Sequence, residues 1–307
     1  MLRTQFPDLA HLHARIERGR RNGEGWPTCI LNVKTQTVYR PEVKGPLSLF
    51  INRRGTSHCR VGSHRATIDD QHYFLTNAGD EYDLTIESEQ PVETFNIHIS
   101  ESLATDVFAG LMLTDGALLD QPDRTLATAP GFFSQLYRRD SAVDGLIEEI
   151  TATHPFGTDP LLEAEQMSRL LRHLSQIHRG ALREADRISA ARPATRQETY
   201  RRLTIARDYL HSSLGQEVQL EEVARVACMS RYHFLRAFRE TFRCTPYQYL
   251  KQLRMDRARQ LLHTSHLSVQ EIGFSLGYQN LSSFSRVFRQ VEGMGPRRFR
   301  ELRHAVV

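Results

Sequence analysis

The chain has 307 residues, room for about two domains at ~150 residues each. Hydrophobic residues make up 40% and charged residues 25%, with a net charge of +4; these ordinary globular proportions exclude long-range disorder and a collagen-like repeat. No apolar run approaches the ~18–20 residues that a membrane-spanning helix needs, so no membrane association is expected.

The N-terminal stretch MLRTQFPDLAHLHARIERGRR has neither an apolar core segment nor a small-residue cleavage site, so no secretory signal is expected and the reading is cytoplasmic. Cys29, Cys59, Cys228 and Cys244 are widely spread with no CxxC pair, which reads as reduced cysteine rather than a disulfide framework or a zinc site.

Residues 28–100 read as β structure. Short alternating or apolar runs recur at Cys29–Val33, Thr37–Tyr39, Leu47–Asn52, Ala66–Ile68, His72–Thr76, Tyr82–Ile86 and Val92–Ile99. Clusters of Gly, Pro, Asn and Asp, such as 41–46, 53–56 and 77–80, separate them. Strands at ~8–12-residue spacing predict a sandwich or a barrel. The pattern then turns helical. Helices are expected over 101–110, 131–137 and 142–153, followed by a longer one from Pro160. In that last run Leu161, Leu162, Met167, Leu170, Leu171, Leu174 and Ile177 form an amphipathic stripe. It either covers one end of the β domain or makes a helix-on-helix dimer seam. Ser189–Gln197 (SAARPATRQ) is small, polar and carries a proline, and reads as a linker between residues 1–188 and 198–307.

The charge switches at that linker. From Arg196 onward there are 19 Lys+Arg against 10 Asp+Glu, or +9; the residues before it carry 21 against 26, or −5. A basic third joined to an acidic remainder fits a nucleic-acid-binding module on a different kind of domain. Lys251 is the only lysine after Lys44. Arginine dominates both halves, however, so the asymmetry carries the weight.

The basic third repeats itself at an offset of 50 residues. Phe234-Leu-Arg236-Ala-Phe238-Arg239 matches Phe284-Ser-Arg286-Val-Phe288-Arg289, Thr245-Pro246 matches Gly295-Pro296, and Tyr249 matches Phe299. Upstream, Val223-Ala224 matches Ile272-Gly273 at 49, so one residue is inserted in the turn between. Each copy reads as a short helix with a small residue inside it (Ala224; Gly273), a tight turn (228–230; 277–280) and a second helix, a helix-turn-helix layout. Gly277 can take positive φ at no steric cost. Ser268-Val-Gln-Glu271 reads as a capping box, with Leu267 and Ile272 as its hydrophobic staple, and Ser230 as the cap of the first copy's second helix.

Phe234 and Phe238, like Phe284 and Phe288, lie four apart and mark a buried side. Tyr232, Leu235, Arg236 and Arg239 fall off that side, as do Ser282, Ser285, Arg286 and Arg289. An exposed helix face with arginine among small or polar groups can enter a major groove, where arginine donates to guanine O6 and N7.

These residues resemble the AraC/XylS family of bacterial transcription regulators over roughly Tyr200–Arg303. The resemblance rests on the two helix-turn-helix units, on a linker helix over 246–263 with its stripe Tyr249, Leu250, Leu253, Ala258, Leu261 and Leu262, and on the run from Ile272 to Arg289 that leads to Gly295-Pro296. It implies that the second helix of each unit enters successive major grooves, ~34 Å apart on one face of double-stranded promoter DNA. It carries base reading to Tyr232, Leu235 and Arg236, and to Leu281, Ser282 and Arg286; Arg231, Arg239 and Arg289 suit phosphates. Two departures stand out: Cys228 where the turn often has glycine, and Leu281-Ser282 where longer polar readers often sit, suggesting thymine-methyl contact from Leu281. For the N-terminal part the strands and the stretch 77–82 are similar to a cupin-like β-barrel with helices, used for dimerisation and for sensing a small molecule.

An enzymatic cupin needs two histidines one residue apart on a strand. The only His-x-His is His11-Leu12-His13, ahead of the strands, while His58, His64, His72 and His98 are scattered and nothing fixes Asp69, Asp70, Glu81 or Glu93 around them. There is no GxSxG, Walker loop or GxGxxG before a helix. Cys59 beside Arg60 is either a thiol of lowered pKa that senses oxidants or, as the better reading, a plain cysteine. The expectation is therefore an α+β chain: an N-terminal cupin-like β-barrel with helices and a C-terminal all-α double helix-turn-helix domain. It acts as a homodimeric transcription regulator, most often an activator in this family, with DNA, RNA polymerase and a small-molecule effector as partners. No catalytic residue, metal or cofactor is expected. The alternatives are a ligand-independent regulator and a metal-binding cupin sensor fused to a DNA-binding module.

Overall fold

The computed structural model describes residues 2–11, 13–14, 18, 25–112, 131–153 and 159–304. Two units, 1–183 and 184–307, make up the chain.

Eight strands of the first unit form one sheet: β1 (Leu2–Arg3), β2 (Cys29–Lys44), β3 (Leu47–Arg54), β4 (Ser57–Val61), β5 (His64–Ile68), β6 (His72–Thr76), β7 (Glu81–Ile99) and β8 (Leu136–Arg138). The path runs β1-β2-β7-β3-β6-β8, with β4 pairing both β5 and β7. Only β1–β2 is parallel. Among the described residues nothing joins β1 to β8, so the sheet stays open where a closed barrel was expected. Closure needs two full-length edges to pair, and here the edges are two and three residues long.

Other expectations change for the same non-local reason. The polar interruptions at 34–36, 40–42 and 87–91 do not end strands. β2 and β7 stay paired across them, and register shifts between Thr35 and Thr37 and between Arg40 and Val43 absorb the irregularity. β4, centred on Cys59, has too short a pattern to be legible alone. The helix expected at 131–137 is replaced by β8, because Leu136 pairs with Phe74 and Tyr137 with Tyr73.

β7 organises the unit. Its C-terminal half pairs with β3 and its N-terminal half with β4. Alternate side chains of β3 therefore serve two cores. Leu47, Leu49 and Ile51 join a cluster with Phe108, Ile147, Met167, Leu170, Leu171 and Leu174 of the helices α1 (Glu101–Met112), α2 (Ser141–Thr153) and α3 (Pro160–Ala185). Phe50 joins Val43, Cys59, Ala66, Ile68, Tyr82 and Leu84 on the other side. The stripe expected on the long helix thus covers the sheet through Met167 to Leu174, while Leu161 stands exposed.

The second unit is helical: α4 (Pro193–Ser212), α5 (Leu220–Val226), α6 (Arg231–Phe242), α7 (Pro246–Thr264), α8 (Val269–Ser275), α9 (Leu281–Glu292) and α10 (Pro296–His304). The linker reading of 189–197 holds a helix start, because Pro193 opens α4 with its φ already set. Arg196 of that stretch reaches back to Asp186 and to the Ala190 carbonyl.

Candidate nucleic-acid interface

Both copies of the repeat become the same object. α5 and α8 have seven residues each, and α6 and α9 have twelve. In the first copy Phe234, Ala237 and Phe238 are buried with Val223 and Ala224; in the second, Phe284 and Phe288 are buried with Ile272 and Gly273. A Cβ on Gly273 would stand 3.2 Å from Phe284 Cβ, which is why a small residue serves there.

The caps fix where the exposed helices begin. Ser268 Oγ accepts from the Glu271 N–H at 3.1 Å and Glu271 Oε2 accepts from the Ser268 N–H at 2.6 Å, the reciprocal pair of a capping box. Asn280 caps α9 by accepting from the Ser283 N–H at 2.8 Å. Ser230 sits at the N-cap of α6 but its side chain makes no capping bond. Thr245 and Gln248 form a second capping box at the start of α7, a T-x-x-Q signal the sequence carried unread. The two turns differ in strain. Gly277 has φ +77, whereas Cys228, a non-glycine residue, is held at φ 51.

On α6, Arg231, Tyr232, Arg236 and Arg239 are exposed, and Tyr232 keeps 86% of its surface. Leu235 is half-buried. Arg231 is paired with Glu221 at 2.7 Å, which ties the start of α6 to α5, and Arg236 has Glu240 one turn away at 3.8 Å. On α9, Ser282, Arg286 and Arg289 are exposed and Ser285 is half-buried. These four line one open concavity with Gln290. Neither Arg286 nor Arg289 has an ion-pair partner among the described residues. Leu281 is half-buried like Leu235, with part of its side chain packed against the core cluster of this copy.

α7 joins the copies. Its 19 residues span about 28 Å at 1.5 Å per residue, and it is anchored by Leu250, Met255, Ala258 and Leu262. Arg254, which sequence reasoning did not single out, lies at the junction. Its Nε donates to the Leu214 carbonyl at 2.9 Å and its Nη2 to the Gln216 carbonyl at 2.6 Å, while its guanidinium sits 5.7 Å from the Tyr278 ring. One side chain thus ties the segment before α5 to the turn after α8, fixing the separation of the two exposed faces.

Residues 223–302 match the family described as a helix-turn-helix domain. This is a helix-turn-helix domain of the AraC/XylS type. The AraC-type domain is similar to the MmsAB operon regulatory protein of Pseudomonas aeruginosa, 34% identical over 93 residues, 30% of each chain. It is also similar to the HTH-type transcriptional regulator AlkR of Acinetobacter baylyi, 37% identical over 92 residues, again 30% of each. A solved transcriptional regulator from Chromobacterium violaceum, with an AraC-type DNA-binding domain, is 28% identical; the likeness covers 33% of this chain and 91% of that one, with a TM-score of 0.32. The chain spans about a third of the length of the curated relatives it matches.

Among the described residues no three His, Cys, Asp or Glu side chains are grouped to hold a metal ion. His58 contacts Thr67, His72 contacts Asp69 and His98 contacts Ser48, while Glu93 pairs with Arg53. Leu12 of the His11–His13 pair lies outside the described residues. Cys59 is fully buried and burial pushes its thiol pKa up; Arg60 pairs with Asp83 instead, so the oxidant-sensing reading fails. No helix among the described residues is long and apolar enough to cross a membrane.

Proposed function

We propose that this chain is a cytoplasmic transcription regulator that binds double-stranded promoter DNA through α6 and α9. The carrying observation is the repeated exposed face, with Arg236 and Arg239 in one copy and Arg286 and Arg289 in the other, on a segment of net charge +9. Arg236 and Arg286, with Tyr232, Leu235, Leu281, Ser282 and Ser285, read base edges; Arg231, Arg239 and Arg289 take phosphates and set the register. A strut of about 28 Å between the copies suits two successive grooves ~34 Å apart.

Residues 1–188 form the sensing and dimerisation part, and the homodimer acts as an activator that contacts RNA polymerase. A cavity inside the first unit favours small-molecule sensing over a ligand-independent scaffold. The test is binding of the full chain to a genomic fragment library, followed by a salt series on the selected sites. A few selected sites, with affinity falling steeply with salt as counterions are released, support the reading. No selection above random fragments refutes it.

A further inference from the structure

Trp26, Phe50, Tyr82 and Leu84 wall a cavity of about 210 Å³ in the first unit. At ~30 Å³ per liquid water it has room for a small metabolite. Two features set its chemistry. Its charged lining is cationic: among the described residues Arg3 and Arg40 face it and no carboxylate does. Arg40 is half-buried with its guanidinium 5.5 Å from the Phe6 ring. No carboxylate pairs with it among the described residues, although Asp8 is near enough to be felt. Burial disfavours its charge, a cost that a bound anion would offset.

The second feature is independent. Asn96 is fully buried and also lines the cavity. Its side-chain amide lies 2.9 Å from Thr94 Oγ, whose single proton is also within reach of the Ile51 carbonyl, so the amide keeps hydrogen-bonding capacity that no described residue meets. Buried polar groups left partly unsatisfied are costly and rare in native proteins. Next to it on the strand face, His98 contacts Ser48 Oγ at 2.9 Å and is kept neutral by burial and by the charge of Arg40. Arg40 and His98 lie far apart in sequence, yet the bent β2–β7 ribbon brings them close enough to interact.

We propose that this cavity binds a small organic monoanion, a carboxylate on an apolar body, with Arg40 carrying the head-group charge and the Asn96 amide as a second donor. The proposal rests on the regulator reading and names the effector class. The aromatic and aliphatic wall of Trp26, Phe50 and Leu84 suits an apolar body, and polyol hydroxyls turned toward that wall would be costly to bury. A fully hydrated dianion would likewise have to shed water against apolar walls.

Trp26 is the only tryptophan in the chain and lines the cavity, so its emission reports occupancy directly. The full-length protein is titrated with 3-phenylpropionate and hexanoate and, in parallel, with the corresponding neutral amides. Saturable emission changes with the acids, and binding about ten- to a hundredfold weaker for the amides and for Arg40→Gln, support the proposal. Arg40→Lys restores part of the loss, which a merely unfolded variant would not do. Equal affinity for acids and amides overturns it, as does the absence of any response in a protein whose unfolding midpoint is normal. DNA occupancy is measured alongside. A neutral compound that binds the cavity and changes occupancy overturns the anion class and leaves the sensing regulator standing. Failure to bind any genomic fragment overturns the regulator reading, while the Trp26 titration still decides the ligand class.

Discussion

Replacing Gly277 with alanine should weaken the second unit and blur its DNA recognition together. The backbone there has φ +77, and an added Cβ would stand 2.9 Å from Arg254 Nη2 and 3.1 Å from the Gly215 carbonyl carbon. The left-handed conformation alone costs an alanine ~1–2 kcal/mol. The contact with Gly215 is with backbone, so the yielding group is the guanidinium, which holds the Leu214 and Gln216 carbonyls at 2.9 and 2.6 Å. Loss of one such charge-assisted bond adds ~1.5–3 kcal/mol, for a total of about 2.5–5 kcal/mol. Urea unfolding followed by the helical circular dichroism signal measures it. With a slope of ~1–3 kcal/mol per molar, the second unit's midpoint falls by at least ~0.8 M. In an Arg254→Ala background the same glycine change should cost only the backbone part, so the double-mutant cycle shows a coupling. Binding to sites whose two halves are moved closer or further apart should also be penalised less in Gly277→Ala, because the clamp that fixes the spacing is loosened. A variant that unfolds within ~0.5 kcal/mol of the parent, the range of an inert surface change, refutes both the strain and the clamp.

Arg236→Ala and Arg286→Ala should each cost ~1–3 kcal/mol on a specific site and relax one base position, read by competition between site variants; equal losses on every sequence would make both phosphate contacts. Their folding stability should barely change, since both side chains are exposed. Cys228→Gly should stabilise the second unit by about 0.5–1 kcal/mol, because relief of φ 51 outweighs the added freedom of an unfolded glycine; a lower unfolding midpoint counts against that strain. His98 is held neutral by burial and by Arg40, its pKa pushed from the usual 6.5 down to about 4. The unfolded chain therefore binds a proton that the folded one refuses between those values. Stability of the first unit should be intact above about pH 6.5 and fall by about 3 kcal/mol as the pH drops to about 4. His98→Gln should flatten that slope in a Trp26-detected urea series, and an unchanged slope would remove His98 from the account.

How much was legible followed the range of the interactions. The sequence by itself determined the helical third: the offset-50 repeat, the Phe234/Phe238 and Phe284/Phe288 faces, the Ser268–Glu271 box and the glycine at 277. Helices are built from contacts three and four residues apart and their caps from adjacent residues, so the pattern and the structure share one local cause. Tertiary structure decided what depends on distant partners. Polar interruptions that read as strand ends at 34–36 and 40–42 became irregularities, because β7 remained paired across them. Residues 131–137 became loop and strand because Phe74 and Tyr73 offered an edge. The packing of Leu281, the paired state of Arg231 and the bonds of Arg254 to carbonyls some forty residues away left no mark on periodicity. The same holds for the cavity. Arg40, Asn96 and Trp26 share no spacing rule, and only the folding of the β2–β7 ribbon places a guanidinium, a buried amide and an aromatic wall around one space.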